Sequence, residues 1–284
     1  MSNKHSTSEL KYHKQLVKLY LKHGSLDEVF KSEGSDLPFS YPHAHRILND
    51  WGVVKSVGRQ RTGLAETIYF FDRLAKEKIP IEKLKRSMPH RFHASASSLH
   101  RAYRHIRNGL TQREATAILM LLDSKVLVGN DLTSSRLHYG KIKGSKTIPV
   151  SFSSKHENPY VSLLRTLQQE VFSAEVVEKK SIQGFIPKTP KPFLLIDIAD
   201  VRCRVYYLRT SAAKLKKFKL KSYKLENLRF VPMSKVPKKN YSNTSWRPGI
   251  PEIIIYYFNI YAKNPSLKTP HRVVAELNKE VIER

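Results

Sequence analysis

Arg46 and Asn49 lie about one helical turn apart in the stretch Ser40-Tyr-Pro-His-Ala-His-Arg-Ile-Leu-Asn-Asp50. On a helix they share a face. A guanidinium can pair bidentately with the major-groove edge of guanine, and a carboxamide with that of adenine. With His45 beside them, these residues can read base edges. Fifty-five residues after Ser40, Ser95-Ala-Ser-Ser-Leu-His-Arg101 echoes the motif and leads into Arg104 and Arg107. Arg59 and Arg61 in Gly58-Arg-Gln-Arg-Thr-Gly63 offer a different chemistry, as do Lys217, Lys219 and Lys221, which alternate with apolar residues. These cations suit phosphates, which give affinity and salt dependence without reading sequence.

Helices must position these groups. Residues 9–22 lack Gly and Pro, and Val17, Tyr20 and Leu21 fall at i, i+3, i+4, which predicts an amphipathic helix ended by Gly24. Ser25 caps a second helix, with Glu28 completing a capping box and Leu26, Val29 and Phe30 facing inward. After a turn, Ser40 caps a third helix with Pro42 near its start and Ile47, Leu48 and Trp51 inward. A short helix, a turn and a helix with an Arg/His/Asn outer face is the layout of a major-groove reader. Gly52 ends it, and Val53 to Val57 reads as a strand. Glu66 to Phe71 is either the return strand of a wing carrying Arg59 and Arg61, or the start of a helix reaching Lys78. A helix over Ile81 to Met88 and a Ser95-capped helix with Leu99, Tyr103 and Ile106 inward then form a second unit, ended by Gly109. Residues 1–110 are expected to be a tandem helix-turn-helix, winged-helix-like region, all α.

The bulk numbers agree with a polyanion partner. The 284 residues carry 51 Lys and Arg against 24 Asp and Glu, a net charge of +27. The excess is +10 over residues 1–110, +6 over 111–211 and +11 over 212–284, so the middle is the most neutral part. Such a surface attracts nucleic acid first, with duplex DNA expected over RNA. Hydrophobic residues make up 40%, enough for packed cores. A lone Cys203 forbids an intrachain disulfide and leaves no Cys/His zinc pattern. The first residues lack an apolar signal core, and the run from Ile250 to Tyr261 is too short and interrupted to span a bilayer. A soluble cytoplasmic or nucleoid-associated protein is expected, without a membrane. There is no Gly-rich phosphate loop ending in Lys-Ser/Thr and no Gly-x-Ser-x-Gly turn.

From Glu114 the period changes. Thr116 to Leu122, Val126 to Val128, Thr147 to Phe152, Phe193 to Ile198 and Val201 to Leu208 read as strands around one helix from Pro159 to about Phe172. That predicts an α+β arrangement with a mixed sheet over residues 111–284.

Here the chain resembles the Nudix family over about residues 112–235. That family's box is a Gly, five residues, a Glu, seven residues, then Arg-Glu-apolar-any-Glu-Glu-any-Gly. In this chain Glu157 is followed by seven residues and Arg165-Thr-Leu-Gln-Gln-Glu170, with Ser151 and Phe172 at the two glycine positions. The resemblance implies a Nudix-like fold in which the helix glutamates hold Mg²⁺, polarising a diphosphate and activating water. Thr166 and Gln169 replace two of those three carboxylates. What remains is Glu170 as at most a weak Mg²⁺ site, and Glu157 with Arg165 as a structural ion pair. The implied domain keeps the fold, with hydrolysis lost or very weak. By analogy with Nudix-related transcriptional regulators, it would sense a nucleotide metabolite while the helix units bind DNA.

The C-terminal segment is basic. From Lys217 to Lys221 the alternation predicts a strand with a lysine face, either lying along phosphates or guarding a sheet edge. Pro251 opens a helix to Ile260 that buries Ile254, Phe258 and Tyr261, and His271 to Ile282 reads as a last helix. These two helices pack on the core or mediate a homodimer. Three functions stand side by side. The leading one is a DNA-binding regulator with a silent Nudix-like sensor. Its rivals are an active Nudix-type hydrolase of nucleoside diphosphate derivatives, using Glu157 and Glu170, and an RNA- or ribosome-associated protein.

Overall fold

The computed structural model describes residues 7–33, 37–57, 64–88, 92, 94–132, 144–237, 245–265 and 269–283. Three helices come first: α1 (Thr7–His23), α2 (Leu26–Glu33) and α3 (Tyr41–Asp50). Three more follow: α4 (Leu64–Glu77), α5 (Ile81–Arg86) and α6 (Ala96–Arg107). The chain then builds β1 (Arg113–Leu122), β2 (Lys125–Asp131), β3 (Lys146–Thr147) and β4 (Val150–Ser153), then α7 (Pro159–Glu170) and α8 (Ser173–Val177). Strands β5 (Leu194–Ile198) and β6 (Val201–Thr210), a short α9 (Ala212–Leu215) and β7 (Leu225–Pro232) come next. Helix α10 (Ile250–Tyr256) runs into a π-turn over Tyr257–Tyr261, and β8 (His271–Val274) and α11 (Glu276–Ile282) close the chain.

The strands form one mixed sheet in the order β3-β2-β1-β6-β5-β8, with β4 also on β1 and β7 also on β2. The central pair β1 and β6 is parallel along its whole length, and β5 and β8 are parallel. Strand β1 shows why the sheet needs cover on both faces. Ala115, Ala117, Leu119 and Leu121 enter one core, and Ile118 and Met120 the other. This is the period-two alternation of a strand buried on both sides. The first core adds α4, α5, α6, α10 and α11 to the sheet, and the second adds α1, α2, α3, α7 and α8. Residues before and after position 110 therefore share both cores.

The echo between the two N-terminal units is geometric as well as sequential. Ser40 and Ser95 cap α3 and α6 with the same backbone angles (φ −72°, ψ 156° and φ −72°, ψ 153°), accepting from the amides of His43 and Ser98. Both helices are followed by a left-handed glycine, Gly52 at φ +62° and Gly109 at φ +63°, a conformation that an L side chain would strain.

Three expectations are corrected, and the alternatives left open from Glu66 resolve to the helix. Val53 to Val57 is extended but pairs with no strand; it lies along α7, whose side chains satisfy its backbone. The segment from Leu64 is helix α4, so the described residues show no wing return strand; the proposed wing tip, with Arg59 and Arg61, lies outside them. Lys217 to Lys221 is not a strand. Phe218 packs its ring on Phe172 and Phe185 at 5.7 and 5.1 Å, and the chain turns to follow that apolar contact. His271 to Val274 is strand β8, because Leu194 to Asp197 offers a free parallel edge to β-branched Val273 and Val274; only the rest of that stretch is helical. The winged-helix character of the N-terminal helical region is not a feature of the described residues.

Candidate functional site

Helix α7 begins at Asn158, whose side chain accepts from the Tyr160 amide at 2.9 Å, with Pro159 in the first turn. From Ser162 to Glu170 every residue is buried. Its polar members must therefore find partners inside the protein.

They find them largely on segment 52–56. Arg165 grips both carboxylate oxygens of Glu157, one at 2.8 Å, and donates to the carbonyls of Phe152 at 3.0 Å and Lys55 at 2.7 Å. Gln168 accepts from the Val54 amide at 2.8 Å and donates to the Gly52 carbonyl at 2.7 Å. Gln169 donates to Ser56 Oγ at 3.0 Å, and the Ser56 amide donates to the Tyr20 hydroxyl at 2.8 Å. Beside the segment, the Trp51 indole N–H donates to the Val177 carbonyl at 3.2 Å, and the Lys179 ammonium lies 3.8 Å from its ring centroid. Helix α1 packs on α7 and α8, and Lys14 reaches Glu178 at 2.5 Å. Segment 52–56, which follows the first three helices, is thus tied to α7 by side chains of the motif itself.

The same helix does not fit a divalent metal. Thr166 is buried and shares a hydrogen bond with Ser151 Oγ at 2.6 Å while donating to the Ser162 carbonyl at 2.8 Å. Gln169 is neutral and accepts the Lys224 ammonium on its Oε1 at 2.7 Å. That ammonium also lies 3.8 Å from Glu170 Oε1. A fixed protein cation therefore stands where the carboxylates would need a free one. Burial pushes the Glu170 carboxyl up to about 7, against the lowering pull of Lys224. A carboxyl that holds its proton near neutrality and already faces an ammonium is a poor ligand for Mg²⁺. Among the described residues no group of three or more His, Cys, Asp and Glu could hold a metal ion. Cys203 is buried, and burial pushes its thiol up to about 12.

The residues expected to touch nucleic acid are placed as follows. On α3, Ala44, Ile47 and Leu48 are buried while Arg46 and Asn49 are exposed on the outer face. His45 is half-buried against the Tyr41 ring at 5.0 Å; burial, then the charge of Lys55, lowers its pKa. Tyr41 donates to Asp27 Oδ1 at 3.0 Å, tying α3 to α2. Arg101, Arg104 and Arg107 are exposed on α6, and Arg107 leans over the Tyr103 ring. Because α3 and α6 belong to the cores on opposite faces of the sheet, the two basic helix faces do not merge into one patch. Lys217, Lys219 and Lys221 are all exposed, so their in-and-out alternation holds without a strand. The Lys219 amide donates to Glu175 Oε1 at 2.7 Å and the Lys221 amide to the Val171 carbonyl at 3.0 Å. Gln168, Gln169 and Lys224 are the residues that sequence reasoning missed as site groups. The available signal was two adjacent amides on a helix with almost no solvent face.

No helix among the described residues is long and apolar enough to cross a membrane. No family model and no curated protein matches the chain. Solved structures similar to part of it include a MutT protein from Methanosarcina mazei Go1, 12% identical, covering 55% of this chain and 98% of that one with a TM-score of 0.35. An ADP-ribose pyrophosphatase from Streptococcus suis 89-1591 is 11% identical over 57% of this chain and 98% of its own, with a TM-score of 0.35. A mutT/nudix family protein from Listeria innocua is 12% identical over 56% and 99%, with a TM-score of 0.37.

Proposed function

We propose that this protein binds duplex DNA through the outer face of α3, and that it does so on a Nudix-like domain whose motif helix serves as a docking surface instead of a hydrolytic centre. The observation that carries the reading is the clamp on segment 52–56. It consumes Arg165, Gln168 and Gln169, and it holds α3 with Arg46 and Asn49 facing outward. The Nudix-like assignment is supported by the Glu157–Arg165 pair at the family's spacing, by Thr166 meeting Ser151, and by a mixed sheet covered by helices on both faces. Arg46 and Asn49 would read bases, and the exposed lysines from Lys217 to Lys221 would contact phosphates.

The competing reading is Mg²⁺-dependent hydrolysis of nucleoside diphosphate derivatives, favoured by the retained Glu157, Arg165 and Glu170. It would require Lys224 to leave the motif. The two are separated by fluorescence anisotropy on duplex DNA and matched RNA, run beside a Mg²⁺ turnover assay. Tighter binding to duplex, weakened by Arg46→Ala, with no turnover supports the proposal. Turnover lost in Glu170→Gln supports the hydrolase, and preference for structured RNA supports an RNA-associated role.

A further inference from the structure

A cleft of about 730 Å³ opens between α6, the stretch from Gly109 into β1, and the first residues of β6. That size lies in the range of small-molecule sites. Its floor is neutralised. Arg113 pairs with both oxygens of Asp200, at 3.0 and 2.6 Å, and donates to Thr67 Oγ1 at 2.9 Å. Its rim is not neutralised. Arg202 and Arg272 share the one buried carboxylate of Asp197, with contacts at 2.8 and 2.9 Å, which leaves a positive charge over. Half of the Arg272 side chain is open to solvent. Among the described residues no carboxylate pairs with Arg101 or Lys155, which also line the cleft. Glu114, which lines the cleft, is paired by Arg204 from outside the lining at 2.5 Å. Five cations and two carboxylates line the space, an excess of three positive charges.

We propose that this cleft binds a small phosphorylated anion carrying two or three negative charges, with Arg272, Arg101 and Lys155 as its main contacts. Planar guanidinium forks match phosphoryl oxygens bidentately. The hydroxyls of Ser98 and Thr111 add donors on the same wall. A concave site of this size admits a compact anion and excludes the convex surface of a duplex. The proposal does not depend on DNA binding by α3.

The test is calorimetric titration of the full chain with inorganic pyrophosphate and with a nucleoside diphosphate. Wild type is compared with Arg272→Gln, Arg101→Gln and, as a control, Arg46→Ala. We expect saturable binding that weakens about tenfold in each of the first two variants, as for a lost charged hydrogen bond, and is unchanged in Arg46→Ala. Circular dichroism melting of the ligand-free proteins should give the same midpoint for wild type, Arg101→Gln and Arg46→Ala, while Arg272→Gln, which gives up a contact to buried Asp197, should still be fully folded at the titration temperature. No saturable binding of either anion, equal affinity in the cleft variants, or loss in Arg46→Ala would overturn the proposal.

Discussion

The Gln168 carboxamide accepts the Val54 amide at 2.8 Å, and its own N–H₂ donates to the carbonyl of Gly52 two residues earlier. One side chain thus does for an extended segment what a neighbouring strand would do. Gln168→Ala leaves both backbone groups without this partner. Each lost partner of a buried polar group costs about 1–3 kcal/mol. The expected outcome is local: hydrogen exchange at the Val54 amide speeds up well before the sheet strands respond.

Arg165 joins three pieces of chain, at Glu157, Phe152 and Lys55. It is 3% exposed and Glu157 is 12% exposed, so Arg165→Met strands a mostly buried carboxylate. Breaking one side of such a pair costs about 3–5 kcal/mol. Denaturant unfolding should show that loss, and Arg165→Lys should recover part of it, since an ammonium restores the charge without the fork.

Glu170 sets a pH dependence. Its carboxyl is raised from 4.5 to about 7 in the folded protein. Between those values the folded state holds a proton that the unfolded chain has lost. Stability contributed by this group is therefore full below about 4.5, falls as pH rises to about 7, and stays level above. The span corresponds to about 3 kcal/mol. Glu170→Gln should flatten the unfolding profile across that window and stand higher than wild type at alkaline pH.

Lys224 occupies the motif with a charge of its own. Millimolar Mg²⁺ should therefore leave the melting temperature of the wild-type protein unchanged, where a ligand of the folded state would raise it. A clear Mg²⁺-dependent rise that disappears in Glu170→Gln would count against the fixed ammonium as the resident cation.

Much of this was legible in the sequence, and the failures share a cause. Helix caps are local, so Ser25, Ser40 and Ser95 announced α2, α3 and α6 correctly. A continuous apolar run announced β1 and an alternating one β6, and the α+β class with a mixed sheet followed. Segment 53–57 has strand composition, yet its partner is a helix side chain more than a hundred residues away. No local pattern reports such a partner. Lys217 to Lys221 kept its alternation of exposure but not its hydrogen bonds, because Phe218 is held by two distant rings. The strand β8 hid inside a helical period, since four residues on an edge are too few to set a pattern. At the motif, the replaced carboxylates were visible as Thr166 and Gln169, whereas the ammonium that faces Gln169 and Glu170 comes from Lys224, fifty-four residues beyond Glu170.

The central claim is that the outward face of α3 reads duplex DNA. Selection from a random duplex pool with the full chain, followed by sequencing and repeated with Arg46→Ala, tests it most directly. The account predicts a recovered motif whose information falls at one or two base positions in the variant, by the equivalent of about 1–3 kcal/mol of discrimination. Enrichment of no motif, or the same motif from both proteins, would contradict it.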